Sequence, residues 1–172
     1  MMMEDVIRNI KNNDYVEWLN SRVIQNPTHI TFTLKQTYNG FNEFGVNINT
    51  YINQYLSSQN FQHFTNLLNY EIYKNGFLRY GKKLKMIVVN ELSINNRLHI
   101  HSIIQKPNHL SNTKFEGLVK DKWSKTNFGY KEIDFQYPNN KNDRDGWVRY
   151  ILKNNHLYHH NFDTIDLINT NF

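Results

Sequence analysis

Two β-rich runs constrain the architecture more than any other feature of this chain. Leu84 to Asn90 (Leu-Lys-Met-Ile-Val-Val-Asn) and Leu98 to Gln105 (Leu-His-Ile-His-Ser-Ile-Ile-Gln) flank the turn-prone Ser93-Ile94-Asn95-Asn96. Such a pair, closed by Pro107, reads as a hairpin of central strands. Neighbouring antiparallel strands point away from a doubly wound parallel sheet and toward an α+β arrangement of one antiparallel sheet with flanking helices. Residues 29–36 supply a third strand by strict alternation: Ile30, Phe32 and Leu34 face a core, while Thr31, Thr33 and Lys35 lie on a face open to a ligand. Lys131 to Tyr137 alternates in the same way and ends at Pro138-Asn139-Asn140.

Helical spacing marks the segments between. Val6, Ile7, Ile10, Tyr15, Trp18, Leu19 and Val23 predict one or two helices before Asn26-Pro27. Ile52, Tyr55, Leu56, Phe61, Phe64, Leu67, Leu68 and Ile72 predict a helical region over 49–74, broken near Ser57-Ser58 and ending at Gly76. Ser111 is placed to cap a helix carrying Phe115, Leu118, Val119 and Trp123, and Asp143 one carrying Trp147, Tyr150 and Ile151. From His156 to Phe172 the pattern is too mixed to assign.

A chain of 172 residues suits one domain, burying roughly 70% of its unfolded surface. This gives the expectation of a single domain over 1–172, with a short N-terminal helical extension, a C-terminal tail and no room for a helicase. Twenty Lys and Arg against 15 Asp and Glu, a net charge of +5, favour a polyanionic partner. There is no cysteine, which excludes disulfides, thiolate zinc sites and cysteine nucleophiles, so any metal must sit on His, carboxylate or amide oxygen. The opening Met1-Met2-Met3-Glu4-Asp5 has no secretory character, and no apolar run approaches a membrane span, so an intracellular soluble protein is expected. Neither a G-x-x-x-x-G-K-[ST] nor a G-x-G-x-x-G occurs, which argues against a nucleotide cofactor.

The chemistry concentrates in the hairpin. His99 and His101 flank Ile100, so both imidazoles project from one strand face while Ile100 enters the core. Glu91, at the end of the preceding strand, is brought beside them by the turn. Two neutral nitrogens and one carboxylate with open positions suit Mn²⁺ or Mg²⁺ as a Lewis acid. Further on, Tyr150 and Lys153 stand at i and i+3 on one helical face, beside a Trp147 and Ile151 suited to burial. His156, His159 and His160 form a rival helical metal cluster.

The order of these motifs, Thr31-Phe32-Thr33-Leu34, then Glu91, then Leu98-His99-Ile100-His101, then Tyr150-Ile151-Leu152-Lys153, resembles that of Rep-type HUH endonucleases. These are the rolling-circle replication initiators of small single-stranded DNA viruses and plasmids. The resemblance implies a ferredoxin-like or RRM-like sheet with His99 and His101 on a central strand. It implies metal ligands at His99, His101 and Glu91, a single tyrosine nucleophile at Tyr150 and the family's lysine at Lys153, with Thr31, Thr33 and Lys35 as candidate DNA contacts. The implied partners are single-stranded origin DNA, a separate helicase and a host polymerase, in a bacterial cytoplasm or a virus-infected host cell. Two alternatives remain: a single-tyrosine HUH transposase, which would act as a dimer, and a non-catalytic RRM-like nucleic-acid binder.

Overall fold

A computed structural model describes Glu17, residues 24–41, 43–93 and 95–138, Asp143, Gly146, Trp147, Arg149, Tyr150 and residues 165–172. The elements are β1 (Pro27–Leu34), β2 (Thr37–Phe41), β3 (Asn47–Tyr51), α1 (Gln54–Tyr73), α2 (Asn75–Tyr80), β4 (Met86–Leu92), β5 (Leu98–Gln105), α3 (Asn112–Ser124) and β6 (Gly129–Gln136). Asp143, Gly146, Trp147, Arg149 and Tyr150 are helical, as is Glu17. Of the helical region expected over 5–25, Ile24 and Gln25 are not helical, and residues 5–16 and 18–23, together with Lys153, Ile151, His156, His159 and His160, lie outside the described residues.

Four strands form one sheet in the order β4-β5-β1-β6, every neighbouring pair antiparallel. With α1 between β1 and β4, and α3 between β5 and β6, the chain runs β-α-β-β-α-β, the ferredoxin-like arrangement that the family resemblance implied. The two inner strands, β5 and β1, are where a side chain on either face is best shielded from water.

One face of the sheet is apolar because the alternation demands it. Ile30, Phe32 and Leu34 of β1 and Ile100 of β5 are fully buried among Phe61, Phe64 and Leu68 of α1 and Phe115, Val119 and Trp123 of α3. The Phe32 ring sits at the centre, 4.8 Å from Trp123, 5.2 Å from Phe64 and 5.4 Å from Phe61 between centroids. Burying a side chain of this size contributes about 1.5–3 kcal/mol. Glycine is required at Gly129, opposite Leu34, because a Cβ there would lie 2.1 Å from the Trp123 carbonyl oxygen.

Two expectations are corrected. The helix over 49–74 begins later, at Gln54, capped by Asn53, whose side chain accepts from the Leu56 N–H at 2.8 Å, and it runs unbroken through Ser57-Ser58 to Tyr73. These serines are buried because they meet polar groups rather than a kink: Ser57 Oγ donates to Asn90 Oδ1 at 2.7 Å, and Ser58 Oγ accepts from Asn169 at 3.2 Å. Helix α2 then follows, closed at Gly81, whose φ of 63° is left-handed. Residues 37–48, for which no element was expected, and 49–51, expected to be helical, form the β2–β3 ribbon. Residues 165–172, in the C-terminal stretch left unassigned, also have order: Asn171 exchanges two backbone hydrogen bonds with Met86, at 2.7 and 2.8 Å, and Asp166 N donates to Val88 O. This segment covers the outer edge of β4, which would otherwise present unpaired backbone groups.

Candidate active site

The opposite face of the sheet is polar at its centre. Along β1, Thr31 pairs with His101 and Thr33 with His99; along β4, Glu91 pairs with His99 and Val89 with His101. Period-two alternation therefore puts Thr31, Thr33, Glu91, His99 and His101 on one face, away from Phe32 and Ile100. Glu91 lies within β4 rather than at its end, directly across from His99.

His101 is buried and held from both sides. Its Nε2 donates to the Glu91 carboxylate, and its Nδ1 shares a 3.1 Å hydrogen bond with Thr31 Oγ1. Thr31 is thus engaged in fixing the imidazole. His99 is half-buried, and its Nδ1 donates to the Arg97 carbonyl at 3.2 Å, which leaves Nε2 as the bare nitrogen. Burial lowers the His99 pKa below the usual imidazole value, opposed by the Arg97 carbonyl, so a neutral ring is favoured at pH 7.

The donor set fits a divalent cation in kind: two imidazoles with ordered Nδ1 atoms and a carboxylate on one face. Only Glu91 and His101 meet, however, and among the described residues no three His, Asp or Glu side chains converge tightly enough to hold an ion. His99 is tied to its own strand by Arg97.

Over this face lies the helical segment that carries Tyr150. The His29 and Trp147 rings stack at 5.0 Å, 6° from parallel, and Trp147 and Tyr150 stack at 5.1 Å and 17°. The His101 ring stands edge-on to both, 5.9 Å from Trp147 and 6.0 Å from Tyr150 between centroids. His29–Trp147–Tyr150 is therefore a continuous stack that sets the Tyr150 ring beside His101. Sequence reasoning placed Trp147 in packing but missed His29, although the alternation of β1 puts it on the same face as Thr31.

A cavity of about 700 Å³ opens between this segment and the sheet. His101 and Tyr150 line it, with Asp134, Gln136 and Tyr137 from β6 and the residue after it, and Asp143. Tyr137 donates to Glu116 at 2.9 Å, and burial together with that carboxylate holds its phenol protonated far above neutral pH. Tyr137 is thus a fixed wall. Thr33 is half-buried, and Lys35 is exposed at the end of β1, its Nζ 3.5 Å from the Asn127 carbonyl.

No curated protein and no solved structure gives a significant match to the chain. The family described as replication-associated protein ORF2 matches residues 29–155, a span that takes in most of β1, Glu91, His99, His101, Tyr150 and Lys153. Since that match covers most of the chain, the protein belongs to this family of replication-associated proteins.

Proposed function

We propose that the protein initiates replication by nicking and rejoining single-stranded DNA at an origin, with Tyr150 as the nucleophile. The observation that carries this reading is the placement of the Tyr150 ring beside His101, itself in contact with Glu91, at the wall of one cavity. A phosphodiester bound there would lie between a phenol and the Glu91–His101 pair.

In the reaction, a bond forms between Tyr150 Oη and phosphorus as the bond from phosphorus to the 3′-oxygen breaks. The phenolic proton must leave as the oxygen attacks. Asp134 and Asp143 line the same cavity and are the carboxylates suited to accept it, while the departing 3′-oxygen gains a proton and becomes a free hydroxyl. Glu91, His99 and His101 would hold Mn²⁺ or Mg²⁺, which when bound supplies Lewis-acid stabilisation of charge on the phosphate. The Thr31 hydroxyl keeps the His101 ring in orientation. Lys153 steadies phosphate charge, and Thr33 and Lys35 contact the strand as it passes the end of β1.

The phosphotyrosine conserves the energy of the broken ester, so a 3′-hydroxyl can reverse the step and reseal the strand without a nucleotide cofactor. A host polymerase extends the freed 3′ end, and a separate helicase opens the duplex. Incubating single-stranded oligonucleotides with the protein and Mn²⁺ tests the reading. Tyrosine attack gives a DNA-shifted protein band and one free 3′-hydroxyl; two free ends with no adduct would mean hydrolysis, and no cleavage would mean binding alone.

A further inference from the structure

The surplus of positive charge is not spread over the molecule. Arg79-Tyr80-Gly81-Lys82-Lys83-Leu84-Lys85 carries four cations and no anion, against a net charge of +5 for the whole chain. All four cations are exposed, and among the described residues none of them lies within ion-pair distance of a carboxylate, whereas Lys74, Lys120, Lys122 and Lys125 each do.

The backbone of this run is pinned. Leu84 is buried, its N–H donates to Asn69 Oδ1 at 2.8 Å and its carbonyl accepts from Asn171 at 3.1 Å. Gly81 and Lys82 bond back to Phe77 and Gly76, and the Lys85 carbonyl accepts from Gln105. Lys82 Nζ sits 4.8 Å from the centre of the Tyr73 ring, which fixes that side chain without neutralising it. Beside these cations Tyr80 is 82% exposed and Leu78 63%, an apolar and aromatic surface open to solvent.

We infer that residues 79–85 form a second contact for single-stranded DNA, remote from the reacting groups: Arg79, Lys82, Lys83 and Lys85 neutralise phosphates and Tyr80 stacks on an unpaired base. Fixed cations interleaved with an exposed aromatic match a single strand's alternating phosphates and open base faces, while a duplex would leave the Tyr80 ring unused. Lys85 precedes Glu91 by six residues of extended chain, roughly 20 Å, so the contact engages a strand several nucleotides away from the cut. The inference rests on the proposed action on DNA but not on the identity of the nucleophile.

Binding of a labelled single-stranded oligonucleotide to the full chain, measured over a range of salt, tests it. Neutralising all four cations (Arg79→Gln, Lys82→Gln, Lys83→Gln, Lys85→Gln) should flatten the plot of log affinity against log salt by about 3, since each single-strand phosphate contact contributes about 0.7. The pair Lys83→Gln, Lys85→Gln should flatten it by about half as much. Tyr80→Ser should weaken binding about tenfold and Tyr80→Phe should recover it. The rate of adduct formation at saturating DNA should stay at the wild-type value. An unchanged slope, or a loss confined to duplex DNA, would overturn the inference. A flattened slope in a protein that forms no Tyr150 adduct would leave this contact standing and remove the nuclease reading instead.

Discussion

The molecule contains two antiparallel hairpins built for opposite purposes. In β4–β5 most residues are buried, with burial on both faces, and the polar side chains Glu91, His99 and His101 share one face of a largely apolar pair. In β2–β3 one face, Thr37, Asn39, Phe41, Asn47, Asn49 and Tyr51, is exposed throughout, and little more than Tyr38 and Gly40 turns inward. The ribbon is held by its own ladder, by the Ile52 N–H donating to Gln36 O at 3.0 Å and by Tyr38 against Phe128. Hydrophobic burial therefore fixes the first hairpin's register to a single value, as a reactive site requires, whereas the second has no core to hold it to one.

Substitutions that exploit this contrast should differ several-fold in cost. The largest effect belongs to Phe32→Ala, at the centre of the sheet against which β5 is laid: about 3–5 kcal/mol lost in denaturant unfolding, from lost transfer energy and the cavity left among Phe61, Phe64 and Trp123. A loss below about 1 kcal/mol would mean that the core is not organised around this ring.

Next comes the site that this hairpin holds. Glu91→Ala should weaken Mn²⁺ binding roughly 10–100-fold or more, because a charged ligand is gone and His101 loses its partner. Calorimetric titration giving the wild-type affinity would show that the pair serves the fold alone.

Smaller again is the effect of Trp147→Leu, which keeps bulk but breaks the His29–Trp147–Tyr150 stack. Aromatic pairs of this kind contribute about 0.5–1.5 kcal/mol, so adduct formation should slow about tenfold with DNA affinity unchanged, and Trp147→Phe should restore most of it. Equal rates for the Leu and Phe variants would show that packing, not stacking, places Tyr150.

The smallest effect is expected in the ribbon. Phe41 is 75% exposed, so Phe41→Ser should change stability by no more than about 0.5 kcal/mol; a loss matching that of Phe32→Ala would erase the distinction between the two hairpins.

The same contrast explains what the sequence revealed. The existence of the β4–β5 hairpin, the bounds of β5, the alternation of β1 and β6 and the Ser111 cap were legible because each is written in burial or in capping chemistry, although β4 runs two residues later than the expected 84–90, and Ser111 Oγ indeed accepts from the Lys114 N–H at 3.3 Å. The ribbon left no such trace, since Asn39, Asn47 and Asn49 are exposed and carry no apolar period. Ser57 and Ser58 read as a break because their partners, Asn90 and Asn169, are 33 and 111 residues away. At the site, the shared face of Glu91, His99 and His101 followed from spacing alone. The part played by Thr31 in orienting His101, and the stack through His29, depended on tertiary neighbours that no local pattern records.

The central claim, that Tyr150 attacks the DNA, is tested most directly by mapping the covalent adduct. After reaction with a single-stranded oligonucleotide and Mn²⁺, proteolysis and mass spectrometry should place a 5′-phosphodeoxynucleotide on Tyr150. Tyr150→Phe, which deletes only the attacking oxygen and keeps the stack on Trp147, should bind the oligonucleotide as the wild type does and form no adduct. An adduct on another tyrosine such as Tyr158, or one that persists in Tyr150→Phe, would contradict the account.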